Sequence, residues 1–567
     1  MKHEARHQDR PHAFFNRIYP PFASFMTTLP PQTKYIIGNE ACERFCFYGM
    51  KAILMVYMTD VLLMSKNSAQ EIVHLFNAII YILPLIGAWL ADRFLGRYKT
   101  ILFISLFYCL GNAVLAMSDF AASIESKQVI LFAGLFIIAI GTGGIKPCVS
   151  AFVGDQAGGF DSQTMTRIYS AFYWSINFGS FFAMLVIPFV RDNWGYGIAF
   201  AIPGIFMALS TFVFWLGRKT YKHKEPAQPE FMSILLCRIF GGARKACERF
   251  SGEKVAATTS TALKIAGFIV VAPIIFALAA CAHNGAYDIA ALSGLNETQS
   301  KLCALLAVFL YTVAIVIAGL KLAATLKLRN FFGTAGSMLF CSKEETEQRY
   351  DAEERKGARN MIRILVTFLL VIPFWSLFDQ TASSWLVQGK TMKEISFTLF
   401  DLNINFGAEQ MQSLNPLLVM VLIPMLTLLV YPKVKKLASP LVRMGIGIVL
   451  AGLSFGMVAI IQSVLDSGVT LSILWQSVPY LVLTVAEILV STTGLEYAYT
   501  AAGEKLKSIV SSFWSLTIAL GNVLVICITS VISGASTSAF VLYGLMSLLV
   551  GLLFMFVTSR RCMQPEA

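Results

Sequence analysis

Two glutamates, an arginine and a lysine fall within NEACERFCFYGMK, residues 39–51, inside a segment that otherwise reads as membrane. Each charge would cost about 2.5–3.5 kcal/mol at the centre of a bilayer helix. On a helix, Glu40, Glu43, Arg44, Phe47, Tyr48 and Lys51 stand at i, i+3, i+4, i+7, i+8 and i+11, so all six share one face. Such a stripe must look into a bundle or a water-filled cavity and pair with other charges there. A local ion-pair network that only fixes packing is the plainer alternative. Buried pairs seldom add stability, however, and four charges on one face exceed what packing needs.

The other apolar stretches offer a short list of matching groups: Lys146 in GTGGIKPCVSAFVGDQ, Asp379 in FWSLFDQTASSW and Glu487 in YLVLTVAEILVSTTGLEYAY. His74, in EIVHLFNAIIYILP, is the only one of the 6 histidines within a span. Together these residues imply a cavity with separate acidic and basic walls, suited to a ligand carrying both an ammonium group and a carboxylate. The carboxylates and His74 are also groups whose protonation burial and neighbouring charge can tune. The glycines of GTGGIKP lack the order of a phosphate loop and sit in a span, where they predict a close helix crossing followed by a proline kink.

The elements that must position these groups are membrane helices. The 567 residues are 56% hydrophobic and 14% charged, with mean hydropathy +0.66, too apolar for an ordinary soluble domain. Runs long enough to cross about 30 Å of hydrocarbon lie near 34–63, 71–94, 98–118, 128–153, 167–190, 196–216, 262–282, 301–323, 361–386, 410–430, 441–465, 473–500, 508–533 and 537–558. This predicts an all-α polytopic membrane protein with fourteen spans. Most Lys and Arg fall in the loops on the side of the termini, which places both termini in the cytoplasm. The net charge of +12 is therefore a topology signal, dispersed over short loops rather than gathered into a nucleic-acid-binding patch.

Residues 1–33 form a polar N-terminal tail without the apolar region of a cleaved signal, and 559–567 a short C-terminal tail. Residues 34–216 and 361–558 read as two six-helix bundles, an arrangement that suggests a transporter with its site at the bundle interface. The section 217–360 reads as an insertion of two extra spans between basic linkers. Within it, FMSILLCRIFGGARKACERF is compatible with an amphipathic helix on the inner leaflet, and EETEQRYDAEERKGAR with a solvated helix. The 11 cysteines show no disulfide or zinc spacing. Cys281 and Cys303 could approach one another at the ends of neighbouring spans, but core packing is the expected use of the set.

Glu40, Glu43 and Arg44 in EACERF resemble the ExxER motif of the proton-dependent oligopeptide transporter (POT or PTR) family of the major facilitator superfamily. GTGGIKPCVSAFVGDQ at 141–156, FYWSINFGS at 172–180, FWSLFDQTASSW at 374–385 and the run from Pro479 to Asn522 resemble further blocks of that family. GAWLADRFLGRYKT resembles the superfamily loop motif, on which Gly87, Asp92, Arg93 and Arg97 take the loop and gating positions. The resemblance covers nearly all of the chain outside the tails and the insertion. Fourteen spans fit the family's bacterial branch, which implies a bacterial inner membrane.

The resemblance implies proton-coupled import of dipeptides and tripeptides by alternating access, with peptide-like drugs as further ligands and protons in place of any cofactor. It also implies no metal, no obligatory protein partner and no enzymatic activity. Glu40, Glu43 and Arg44 would form the coupling cluster, with Lys146 pairing to it in one conformation. Lys51 and Lys146 would receive the peptide carboxylate and Glu487 its amino terminus. Asn177 and Asn415 would bond the peptide backbone, with Ser491 nearby. Tyr48, Tyr81, Trp375 and Trp514 would line side-chain pockets. Asp379 and His74 would serve protonation and the outer gate.

The chain departs from the family pattern in three places. Phe47 stands where many relatives carry a second tyrosine, Lys51 where arginine is common, and AGGFDS follows GDQ. Lys51 keeps the charge but loses the planar fork that grips a carboxylate. Nitrate carriers on the same fold use a histidine on the seventh core helix, and 361–386 has none. No HExxH, ligand spacing or nucleophile motif supports a membrane enzyme, and no long folded extension supports a transport-dead sensor.

Overall fold

The computed structural model describes residues 30–91, 95–157, 162–222, 296–325, 331–399, 402–430, 433–434, 439–494, 496–497 and 507–559. The expected span 262–282, Cys281 and the basic stretch 231–250 lie outside the described residues.

The charged stripe stands on α1 (Pro31–Val56), which begins with proline at its first turn and ends in a π-helical turn, Tyr57–Val61. It is followed by α2 (Lys66–Leu90), α3 (Arg97–Ala116), α4 (Ile124–Ala157) and α5 (Ser162–Leu216). Gly195, with φ of 86°, breaks α5 into the two spans expected at 167–190 and 196–216; this left-handed conformation is one that favours glycine. One apolar core runs through these five elements, and α1 packs chiefly along α5.

Four glycines set the helix spacing around Lys146. A Cβ on Gly141 would meet the backbone of Tyr108 at 2.8 Å, and one on Gly87 the Cα of Gly144 at 2.5 Å. Gly143 and Gly144 likewise lie against Leu83 and Ile104. The expected close crossing is therefore present, between α4 and both α2 and α3, and α4 continues past it to Ala157.

Beyond α6 (Glu297–Thr325) and the short α7 (Phe331–Phe340) and α8 (Lys343–Arg349), α9 (Ala352–Leu369) opens with a reciprocal cap between Asp351 and Glu354. The charged run 343–359 thus forms two helices, the second of which continues into the membrane. The span expected at 361–386 is broken. Pro373 starts α10 (Ile372–Phe378), a 3₁₀ turn covers Asp379–Ala382, and Ser383, at φ −136° and ψ −90°, leads into α11 (Ser384–Gly389). Proline cannot continue the α9 ladder, and the turn presents Asp379 to its neighbours.

A hairpin that the sequence reading did not anticipate follows, β1 (Ile395–Leu399) paired antiparallel with β2 (Leu402–Phe406). After α12 (Ala408–Met411) come α13 (Leu414–Met425), α14 (Pro440–Asp466), α15 (Ser477–Glu487) with a π turn Ile488–Thr492, α16 (Lys507–Thr529) and α17 (Thr537–Ser559). A second apolar core runs from Met361 to Phe554.

Among the described residues, seven helical stretches are long and apolar enough to cross a membrane by length and composition. Large apolar side chains face outward on them, as Phe103, Phe107 and Leu110 do on α3 and Leu549, Leu552 and Phe556 on α17. Buried polar groups occupy the inside, the inversion expected of helices solvated by lipid.

Candidate functional site

All four charges of the stripe are buried between the helices, with Glu40, Glu43, Arg44 and Lys51 each at most 9% exposed. The Nε of Arg44 lies 2.9 Å from Glu40 Oε1 and 2.6 Å from Glu43 Oε2. The arginine therefore holds two carboxylates at once, one a helical turn away and one adjacent. Lys51, two turns further along, reaches across to the second bundle, where its Nζ lies 3.6 Å from Asp379 Oδ1.

Lys146 on α4 stands over the ring of Tyr81 at 4.1 Å and that of Phe47 at 4.9 Å. Among the described residues no carboxylate lies within ion-pair distance of it, so aromatic faces hold the ammonium here. Phe47, the departure from the expected tyrosine, thus supplies a flat face to the cation.

On the opposite wall, Asn415 of α13 donates to Glu487 Oε2 at 2.7 Å and to Thr484 at 3.1 Å. The π turn after Glu487 carries Ser491, which is half-buried. Tyr48, Tyr81 and Tyr173 all lie within electrostatic reach of Glu487, and the first two also of Asp379 and Arg44. Asn177 donates back to the Tyr173 carbonyl at 3.0 Å. Trp514 and Trp375 meet edge to face at 6.0 Å, and Trp514 packs on Phe368 at 5.1 Å. A Cβ on Gly494 would come within 2.1 Å of the Trp514 ring, so that glycine makes room for the indole.

His74 is fully buried and joins the two bundles. Its Nδ1 lies 2.7 Å from Asn522 Oδ1 and its Nε2 2.8 Å from Ser383 Oγ. Asn522 uses its amide N–H to bond Asp379 Oδ2 at 2.6 Å, and its oxygen also accepts from Asn77 at 3.2 Å. An amide oxygen can only accept, so His74 carries its proton on Nδ1. The result is a continuous polar line from Ser383 through His74, Asn522 and Asp379 to Lys51. Asn522 and Ser383 are site residues to which the sequence reading assigned no role. Their signal was an isolated amide in IALGNVLVICIT and a hydroxyl pair after Asp379.

Beyond this line the bundles are tied at the end where α1 meets α2. Arg191 bonds Glu409 at 2.5 Å, Lys390 bonds Asp60 at 2.5 Å and Ser533 bonds Asn67 at 3.3 Å. Of the loop-motif residues, Gly87 packs on Gly144 and Arg97 pairs with Asp155 at 2.5 Å. Asp92 and Arg93 lie outside the described residues. Among the described residues no group of three His, Cys, Asp or Glu side chains could hold a metal ion.

The family model described as "POT family" matches residues 98–546. Among curated proteins, "Peptide transporter family 2" of Caenorhabditis elegans is 32% identical over 76% of this chain and 47% of its own length. "Solute carrier family 15 member 2" of Mus musculus is 28% identical over 77% and 50%. The chain thus spans about half the length of these relatives. Two solved structures share 34% identity. "In meso crystal structure of the POT family transporter PepTSo" is matched over 94% of this chain and 98% of that one, with a TM-score of 0.69. "Crystal structure of auto inhibited POT family peptide transporter" is matched over 94% and 97%, with a TM-score of 0.67. Both place the fold among the major facilitator transporters.

Proposed function

Because the chain belongs to the POT family, we propose that it is a proton-coupled symporter that imports dipeptides and tripeptides by alternating access, a carrier and not an enzyme. The observation that carries this reading is the division of charge across the central space. Arg44, Lys51 and Lys146 stand on the first bundle, and Glu487, oriented by Asn415, on the second.

A short peptide is a zwitterion, and its carboxylate and ammonium ends suit those two walls. Of the cations, Lys146 is the one that peptide can recruit without breaking an ion pair. Tyr48, Tyr81, Trp375 and Trp514 offer apolar faces that reward side-chain bulk without demanding one shape. Asn177 and Asn415 are amides placed to bond a peptide backbone.

Coupling needs only that proton and peptide bias the same two-state motion of the bundles 34–216 and 361–558. In our reading, protonation of Glu40 or Glu43 loosens Arg44 and lets a cation meet the peptide carboxylate. The line from Ser383 to Lys51 and the ties at Arg191 and Lys390 form the outer gate. Both termini are then cytoplasmic, the membrane is a bacterial inner membrane, and 262–282 and 301–323 are the two inserted spans of a fourteen-span chain.

The test is uptake of labelled dialanine into proteoliposomes, with and without an inward proton gradient, in the wild type and in Glu487→Gln. Accumulation that needs the gradient, is competed by unlabelled dipeptides and tripeptides and is lost in the variant supports peptide symport. Folded protein that neither accumulates nor exchanges peptides contradicts it.

A further inference from the structure

The second bundle has a cleft on its outward side, away from the charged site. In α14, Gly452 and Gly456 stand one helical turn apart, and Gly544 of α17 faces the first of them. A Cβ on Gly452 would lie 2.8 Å from the Gly544 carbonyl oxygen, so the two helices touch there. One on Gly456 would meet nothing within 4 Å, and from this level the helices part. The groove between them has a volume of about 300 Å³ and is lined by Gly456, Ala459, Ile460, Val541 and Leu545, with Ser463 and Thr537 as its polar members near the last turn of α14 and the start of α17. Ile460, Val541 and Leu545 are exposed, as are Leu453 and Leu549 on the same helices, so the groove opens on hydrocarbon.

The polar end carries one charge. Asp466, the last residue of α14, is exposed, and its Oδ1 accepts from Gln462 at 2.8 Å and its Oδ2 from Thr537 at 2.7 Å. The carboxylate thus bridges the two helices where the groove ends. Gln462 is itself held by Gln388 of α11 at 3.0 Å. Each oxygen of Asp466 keeps a second lone pair for a further donor. No side-chain cation supplies it: among the described residues Asp466 has no ion pair, and neither 444–504 nor 508–559 contains a lysine, arginine or histidine.

An occupant must therefore be apolar along the groove and cationic at its end. A helix of a second copy, about 10–12 Å across, is too broad for a cleft whose walls touch at Gly452, whereas a hydrocarbon chain is not. Left empty, the groove would forfeit dispersion contacts on every wall. We propose that α14 and α17 hold a phosphatidylethanolamine molecule, with one acyl chain in the groove and the ammonium on Asp466. The primary ammonium donates hydrogen bonds to the open lone pairs. The quaternary ammonium of phosphatidylcholine has no N–H to give, and an anionic headgroup meets the repulsion of Asp466. The phosphate lies toward the first turn of α17, the positive end of that helix. Through Asp466, Thr537 and Gln462 the lipid steadies the contact of α14 with α17 and α11, whatever solute is carried.

Photolabelling of the full chain in liposomes tests the site, with phosphatidylethanolamine and phosphatidylcholine probes that carry the same diazirine-bearing acyl chain. Labelled positions are read by mass spectrometry. The expected result is that the ethanolamine probe labels Ala459, Ile460 and Val541 about two- to fivefold more strongly than the choline probe, the factor an exposed ion pair supplies. Both should label outward-facing Phe103 and Phe107 of α3 equally. Asp466→Asn should equalise the two probes at the groove, and Gly456→Leu, which places a side chain in open space, should remove labelling there for both. Equal labelling of the groove by the two probes in the wild type overturns the proposal, as does a preference that survives in Asp466→Asn. Groove residues that stay unlabelled while two copies crosslink through α14 overturn it in favour of self-association. The wild-type comparison stands even if a variant fails to fold.

Discussion

Replacing Glu409 with glutamine removes one tie between the bundles and should shift the population toward the state in which this end is open. Arg191 and Glu409 are 13% and 4% exposed at their side chains and bond at 2.5 Å, so screening is slight. A hydrogen bond between charged groups contributes about 1.5–3 kcal/mol. Arg191 keeps Asp192 at 2.6 Å after the change, which favours the lower part of that range. A loss of about 1.5–2 kcal/mol multiplies the open-to-closed ratio roughly ten- to thirtyfold.

Distance measurements by electron paramagnetic resonance between labels at exposed Leu63 and Val469 would read this ratio. Labels carried on non-canonical amino acids leave the 11 cysteines in place. At a pH where the wild type shows both populations, Glu409→Gln should enrich the longer distance. Asp192→Asn, whose ion pair is with Arg191 of its own helix and whose charge repels Glu394 of the second bundle, should not. Equal distributions for Glu409→Gln and the wild type would refute the assignment of this pair to a gate.

Further outcomes follow from the same contacts. Asn522→Leu strands the Nδ1–H of His74 and one oxygen of Asp379, at about 1–3 kcal/mol for each group left unsatisfied, and should lower both the melting temperature and dipeptide uptake. Glu394, exposed beside β1, has its carboxyl raised above 4.5 by partial desolvation and by the charges of Glu409 and Asp192, against the pull of Arg191 and Lys390. A raised carboxyl favours the folded chain below 4.5 and loses that contribution as pH rises through its folded value. Glu394→Gln should therefore flatten the fall in melting temperature just above pH 4.5. Gly179→Ala would set a Cβ 2.3 Å from the Ala41 carbonyl oxygen. Such overpacking costs about 1–3 kcal/mol and should lower the melting temperature, whereas Gly456→Ala, which meets nothing within 4 Å, should not.

The legible parts of this chain are those governed by short-range periodicity. The α1 stripe could be read because a helix brings residues three and four apart together, and the outlying spans because hydrocarbon thickness sets their length. What pairs with the stripe is less accessible. Lys51 meets Asp379 only through the packing of two bundles, and Asn522 is 448 positions from the histidine it holds. The breaks at 370–383 and the hairpin at 395–406 were hidden because an apolar average does not register a proline-started turn or a short strand pair. The cation–π seat of Lys146 shows how a departure from a motif acquires meaning. Phe47 had appeared as a missing hydroxyl, and in the fold it is a face beneath an ammonium group.

The central claim is that the charges of α1 couple protons to peptide movement. Uptake by Glu43→Gln in proteoliposomes, measured as gradient-driven accumulation and as peptide counterflow in the same preparation, tests it most directly. The account predicts that accumulation is abolished and counterflow is retained, because the binding walls survive while the proton site is lost. Gradient-driven accumulation at the wild-type level would contradict it.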